Sequence, residues 1–248
     1  MGRLTFGAPQ LRRSPLDRQL GDFVLAFPML VFAMCAHEYA HAATALRQGD
    51  DTAYRLGRVT LNPLPHIDPF MSILLPALLW FSSGGAFTFG GAKPVPVNSA
   101  KFLNYRRGDI VVSAAGVVTN LILALVWSGL FVVLGELGQS FTTAAPVVDT
   151  AQRMLVYGIW LNLVLCFFNL IPVPPLDGSH LFYHLLPPRA GNWYRGLQRF
   201  GYLPIFVLMF LFRPVMAFLL TPAYKGMMLL MQAIYPFRVG EGWNIFQS

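Results

Sequence analysis

The sequence has little charge. Only 12% of its 248 residues are Asp, Glu, Lys or Arg, whereas 55% are hydrophobic. A soluble domain of this size needs a polar coat, but here the charged residues fall between long apolar runs instead of being spread through them. We therefore predict an all-α polytopic membrane protein that contacts the lipid bilayer.

Cysteine is scarce, and a basic domain is missing. The two cysteines, Cys35 and Cys166, lie in separate apolar runs, so they form neither a disulfide framework nor a metal-ligand pair. The net charge of +7 comes from small groups of Lys and Arg between the apolar runs. In a membrane protein such groups set topology and contact anionic headgroups. We expect no nucleic-acid partner.

One motif stands out within the apolar run from Phe23 to Leu46, where His37, Glu38 and His41 form the pattern H-E-x-x-H. Residues four apart share one face of a helix, so the two imidazoles can bind one metal ion. Glu38, about 100° further round the helix, can then address a bound water. Ionisable residues are costly inside a spanning helix unless they are functional. We predict one Zn²⁺ per chain, the alternative being a packed polar cluster.

A catalytic zinc ion usually has three protein ligands and one open position. Asp177 is the favoured third ligand, because the prolines just before it must end the preceding helix and place the carboxylate on a turn. To reach one metal ion, the helices that carry His37 and Asp177 must run parallel. The other candidates are His66, His180, His184, Asp68, Glu136 and Asp149.

The apolar runs predict four to six transmembrane helices, with the clearest spans at 23–46, 110–134, 154–173 and 202–220. A polar connection is expected over 135–153. The predicted organisation is an interfacial N-terminal segment at 1–22, a membrane-embedded core at 23–220 and an interfacial C-terminal tail at 221–248.

The apolar run from Phe70 to Phe81 is too short to span a bilayer, and a Gly- and Pro-rich stretch follows it. We interpret 70–97 as a re-entrant unit, in which a short helix precedes an extended segment near 84–97. Non-helical backbone at membrane depth is tolerated only against protein or a wet cavity. This unit should therefore line the site.

Asn120 is a polar residue within the predicted span 110–134, and Gly116 lies on the same helix face. An uncharged amide there could donate a hydrogen bond to the oxyanion of a tetrahedral intermediate. Hydrogen bonding between helices is the alternative. Asn162 and Asn169 share a face of a later helix, and a structural role is favoured for Asn162.

The chain contains three motifs, which are His37-Glu38-x-x-His41, Gly116-x-x-x-Asn120, and the stretch 169–178 with the pattern N-x-x-P-x-P-P-L-D-G. Together they resemble the site-2 protease family of intramembrane zinc metalloproteases. The stretches 57–69 and 92–98 resemble the small bacterial branch of that family. The resemblance runs from about Phe23 to Gly178, although Val117 follows Gly116 where many members have Pro.

The resemblance implies that His37, His41 and Asp177 bind zinc, that Glu38 is the catalytic base, and that Asn120 contacts the substrate or the oxyanion. It implies a multi-pass protein of the bacterial inner membrane that cleaves transmembrane or membrane-anchored protein substrates with a metal-activated water. Within these 248 residues we expect no PDZ or CBS domain. An unwound substrate could add as a strand near residues 90–97.

Two other functions stay open from the sequence. A metal-binding transporter would explain polar groups within the membrane, but it gives no reason for a Glu between two histidines at this spacing. A proteolytically inactive membrane scaffold would bind no zinc and cleave nothing.

Overall fold

The computed structural model describes residues 14–85 and 88–240. Over these residues the protein is built from helices, and no strand occurs. The α-helices are α1 (Pro15–Arg47), α2 (Thr52–Arg55), α3 (Leu75–Ser82), α4 (Tyr105–Ser140), α5 (Ala145–Asn169), α6 (Asp177–Tyr183), α7 (Pro188–Arg195), α8 (Leu203–Leu211), α9 (Arg213–Leu219) and α10 (Thr221–Ile234).

Three of these helices are long and apolar enough to cross a membrane, namely α1, α4 and α5. Crossing the hydrocarbon core takes about 20 helical residues, and these helices have 33, 36 and 25. A fourth crossing results if α9 and the stretch 221–237, which meet at a 46° bend, count as one broken span. The all-α polytopic architecture is confirmed, at or below the lower end of the expected helix number.

α1 begins well before Phe23, where the first span was predicted. Ser14 caps the helix by accepting a hydrogen bond from the Asp17 amide, and the Asp17 carboxylate accepts one from the Ser14 amide. Pro15 supplies a favourable first residue. Residues 15–22 of the predicted N-terminal segment are thus helical, while residues 1–13 lie outside the described part of the chain.

The predicted polar connection at 135–153 is wrong. α4 continues to Ser140 and α5 begins at Ala145, so only residues 141–144 join the two helices. Polar residues in this stretch are accommodated on the helices. The Gln152 side chain, for example, is fully buried, and its amide donates to the carbonyl of Phe131. Hydropathy alone therefore placed the end of α4 too early, at residue 134, and the start of α5 too late, at residue 154.

The three long helices alternate in direction. His37 and His41 of α1 contact Asn120 and Val112 of α4, so chain position increases along one helix as it decreases along the other. The short connection at 141–144 makes α5 antiparallel to α4. α1 and α5 are therefore parallel, as the shared metal site required.

The predicted span 202–220 is wrong as one continuous helix, because the chain breaks at Phe212 between α8 and α9. Pro214 has no N–H for a continuous helix, and its ring would clash with the carbonyl four residues earlier. α10 then packs into the main core through Ala223, Met227 and Ile234. The predicted division between residues 220 and 221 falls where α9 gives way to α10, and it stays a prediction. Residues 241–248 lie outside the described range.

The predicted order of a short helix followed by a non-helical segment is confirmed. A π-helical turn at Pro69–Leu74 leads into α3, and residues 88–98 form no helix. The alternate amides of Gly91, Lys93 and Val95 bond to surrounding residues, as expected for an extended segment. Four backbone amides anchor this extended segment. Gly91 donates to the Met71 carbonyl, Lys93 to the His66 carbonyl, Val95 to the Glu38 carboxylate and Asn98 to the Asp50 carboxylate. Residues 86 and 87 of the predicted segment are outside the described residues.

Candidate metal centre

The structure brings together the three predicted ligands, His37, His41 and Asp177. The Nε2 atoms of the two histidines are 2.9 Å apart. The Asp177 Oδ2 lies 3.1 Å from the His37 Nε2 and 3.3 Å from the His41 Nε2. Within the described chain, this is the cluster of His, Cys, Asp or Glu side chains whose ligand atoms converge closely enough for a metal ion. The histidines come from α1, and Asp177 is the first residue of α6.

The hydrogen-bond partners of the two Nδ1 atoms determine whether each Nε2 carries a proton or a lone pair. The Nδ1 of His41 lies 2.7 Å from the carbonyl oxygen of Val112, and the Nδ1 of His37 lies 2.6 Å from the Oδ1 of Asn120. Both partners are acceptors, so each neutral imidazole carries its proton on Nδ1 and a lone pair on Nε2.

Two lone pairs cannot bond to each other at 2.9 Å. Asp177 adds a third electron-rich atom, because its buried Oδ2 has no hydrogen-bond partner among the described residues. A cation between these three atoms satisfies all of them. Two imidazole nitrogens and one carboxylate oxygen, with a position left open, are a donor set that suits a catalytic Zn²⁺ ion.

A chain of amides fixes the orientation of His37. The Nδ2 of Asn162 donates to the Gly158 carbonyl, so its Oδ1 faces Asn120 and accepts from the Asn120 Nδ2 at 2.9 Å. That bond turns the Asn120 Oδ1 towards His37. Both asparagines are fully buried. The structural role predicted for Asn162 therefore fits its contacts.

Asn120 lies behind the His37 ring and is not among the residues that line the cavity next to the metal centre. This position supports a role in orienting His37, and the contact with substrate or oxyanion stays a prediction. The sequence indicated a polar group at this depth. It did not indicate which neighbour the amide would meet.

Gly116 explains the other half of the Gly116-x-x-x-Asn120 motif. A Cβ atom at this position would lie 2.5 Å from the His37 Cε1 and 2.5 Å from the His41 Nε2. The absence of a side chain therefore lets α4 approach both rings. One turn later, Asn120 supplies the acceptor for His37.

Glu38 lies beside the ligands, and its carboxylate accepts a hydrogen bond from the Val95 amide at 2.7 Å. The extended segment thus contacts Glu38 and lines the site, as predicted. A cavity of about 330 Å³ lies between the segment and the metal centre. Its lining includes Glu38, both histidines, Asp177 and residues 89–92. The cavity lies next to the predicted base.

Asp177 begins a helix instead of lying on an isolated turn. A Cβ on the next residue, Gly178, would lie 2.2 Å from the Leu170 carbonyl oxygen, so glycine lets the start of α6 pack against the end of α5. The Asp177 carboxylate therefore faces both imidazoles from the start of α6.

The remaining histidines have other partners. The Nε2 of His66 lies 2.9 Å from the Thr60 carbonyl in the loop that supports the extended segment. His180 and His184 both contact Asp109, at 3.2 and 2.7 Å. Asp109 was missed at the sequence level, because it follows Arg106 and Arg107 and looks like part of a charged loop. Glu136, Asp68 and Asp149 are outside the convergent cluster as well.

Comparisons with known proteins agree with this geometry. A family model described as "Peptidase family M50" matches residues 23–212. The chain is 38% identical over 195 residues to "Putative zinc metalloprotease YwhC" of Bacillus subtilis (strain 168), covering 78% of this chain and 82% of that protein. It is 30% identical over 194 residues to "Putative zinc metalloprotease Rip2" of Mycolicibacterium smegmatis, covering 77% and 68%. No solved structure gives a significant match.

Proposed function

The chain belongs to peptidase family M50 and is a zinc metalloprotease, and from this premise we propose that it cleaves membrane-embedded or membrane-anchored protein substrates, with Glu38 as the general base. The observation that carries the proposal is the position of Glu38. It shares one cavity with three convergent ligand atoms, at the end of long apolar helices. We place the protein in the bacterial inner membrane as a multi-pass protease.

His37, His41 and Asp177 would hold the zinc ion. Zinc bound there would polarise the peptide carbonyl and lower the pKa of a water molecule. Glu38 takes a proton from the attacking water and passes it to the departing amine. The hydrogen bond from the Val95 amide keeps its carboxylate directed into the cavity. Asn120 keeps the His37 lone pair directed at the metal position.

The extended segment is suited to receiving an unwound substrate. The amides of Gly91, Lys93 and Val95 all bond to the protein. Successive residues of an extended chain alternate in direction, which leaves the amides of Gly90 and Ala92 on the opposite edge. A substrate strand can pair with this edge, and Pro94 and Pro96, which have no N–H, limit the pairing to a short stretch.

The test is Glu38→Gln in detergent-purified protein, measured as zinc per chain and as cleavage of a panel of single-span substrates. We expect bound zinc to stay at one per chain and cleavage to disappear. Glu136→Gln is the matched control, since Glu136 is an exposed Glu of a spanning helix away from the cavity. Full cleavage by the Glu38 variant would overturn the proposal.

The same preparation tests the alternatives. A transporter would carry metal ions across a reconstituted bilayer, and it would keep full flux after Glu38→Gln. An inactive scaffold would show neither zinc nor cleavage in the wild-type protein.

A further inference from the structure

A second polar cluster lies next to the metal centre. Asp109, near the start of α4, is buried, and its two carboxylate oxygens are shared between two histidines of the α6 region. The Nδ1 of His180 lies 3.2 Å from one oxygen, and the Nε2 of His184 lies 2.7 Å from the other. A carboxylate accepts hydrogen bonds, so each of these two nitrogens carries a proton.

The two histidines differ in exposure. The His184 side chain is 6% exposed, whereas that of His180 is 39% exposed and lines the cavity together with Asp109. Charge is penalised by burial, so the positive charge that pairs with Asp109 is favoured on His180. The hydrogen bond to Asp109 also raises the pKa of His180.

The second ring nitrogen of His180 is available for a ligand. Its Nε2 has no hydrogen-bond partner within residues 14–85 and 88–240. When the imidazole is protonated, it donates from Nδ1 to the carboxylate and has a second donor at Nε2. No Lys or Arg of the described chain lines the cavity, so His180 is the side chain there that can offer a positively charged donor.

Charge balance leaves a place for such a donor. Asp177 and Glu38 contribute two negative charges around the two neutral histidines, and a divalent cation would balance them. The pair of Asp109 and His180 is neutral by itself. Among the described residues that line the cavity, no Lys or Arg can meet negative charge that develops on a peptide oxygen during attack, whereas a charged His180 can do so through its Nε2.

We propose that His180 is a further catalytic residue, which Asp109 positions so that its Nε2 donates a hydrogen bond to the carbonyl oxygen of the peptide bond under attack. This inference rests on the proposed function and adds a residue to its site. His184 anchors the second oxygen of Asp109 and acts as a positioning residue. The group recognised is the backbone carbonyl of a peptide, whatever the side chains of the substrate.

The decisive variant is His180→Asn. The Asn amide can still donate to Asp109 from nearly the position of Nδ1, but it has no atom at the position of Nε2. Loss of one donor to an oxyanion typically lowers kcat by about 10²–10³-fold. We expect a loss of that size in kcat, with KM and bound zinc unchanged. Binding of a phosphinic peptide, whose tetrahedral anionic group mimics the attacked carbonyl, should weaken in parallel.

The control is Phe182→Ala, which changes an exposed residue of the same helix that does not line the cavity and should keep wild-type kcat. If His180→Asn cleaves at the wild-type rate while Glu38→Gln is inactive, the role of His180 is overturned and the protease proposal stands. If wild-type protein cleaves nothing, or Glu38→Gln cleaves normally, the proposed function itself fails. Loss of zinc from His180→Asn would also overturn the donor role, because it would show that His180 supports the metal site.

Discussion

Two pairs of histidines in this chain have the same spacing and different surroundings. His37 and His41 are four residues apart on α1, and each uses its Nδ1 on a neutral acceptor, an amide oxygen or a backbone carbonyl. His180 and His184 are also four apart, but they hold the two oxygens of one buried carboxylate. The first pair directs two lone pairs at a common point, whereas the second directs two protons at Asp109.

Spacing alone therefore does not make a metal site. A ligand histidine needs an acceptor behind it that fixes the proton on the remote nitrogen, and it needs an empty place in front. Asn120 and Val112 provide the acceptors for the first pair, and the cavity that both histidines line provides the space. The second pair lacks the space, because Asp109 occupies the position that a cation would take.

Removing a ligand from the first pair should have the largest effect. His41→Ala leaves two ligands for an ion that needs three, so we expect bound zinc to fall from one per chain to a small fraction and cleavage to disappear. Elemental analysis of purified protein and a single-span substrate measure the two quantities. Tyr39→Ala, an exposed change on the same helix, is the control and should keep its zinc. One zinc per chain in the His41 variant would refute this assignment of the ligands.

A side chain at Gly116, where α4 approaches both rings, should have the second largest effect. Gly116→Ala places a Cβ 2.5 Å from both His37 and His41, so the rings must move apart and zinc should be lost. Gly129→Ala on the same helix meets nothing within 4 Å, and it should keep zinc and gain about 0.5–1 kcal/mol of stability. If both variants keep wild-type zinc content, α4 does not constrain the rings as we infer.

The sequence predicted the part of the site that lies on one helix. His37, Glu38 and His41 are close in the chain, and helical periodicity alone places them on one side. Asp177 was one of several candidates, because periodicity carries no information on how helices approach each other. The parallel course of α1 and α5 followed only from the requirement that His37 and Asp177 share one ion.

The contacts between helices could not be predicted from the sequence. The bonds of Asn120 to His37 and Asn162 depend on how α4 is rotated about its axis, and that rotation is set by packing across the bundle. Asp109 gave no signal at all. The break at Phe212 could have been predicted from Pro214, but the surrounding apolar run outweighed the proline in a prediction based on hydropathy.

Removing the acceptor behind His37 should have an intermediate effect. Asn120→Ala frees the His37 Nδ1 proton from its partner, and loss of such a partner typically lowers metal affinity about 10–100-fold. Asn162→Ala acts through Asn120 and should fall at the low end of that range. Competition with a fluorescent zinc chelator measures both. Ser128→Ala, a buried hydroxyl on α4 that bonds within its own helix, is the control. Equal zinc affinity in all four proteins would show that the amide chain does not orient the ring.

The smallest effect on the metal should come from the second pair. His184→Gln removes a buried partner of Asp109, and an unsatisfied buried acceptor costs about 1–3 kcal/mol of stability. We expect a lower midpoint of thermal unfolding in detergent and one zinc per chain, as in the wild type. If the variant instead loses zinc as His41→Ala does, the two pairs do not divide their roles and the second belongs to the metal site. An unchanged midpoint would show that water replaces the lost imidazole at Asp109, in which case the buried contact contributes little to the fold.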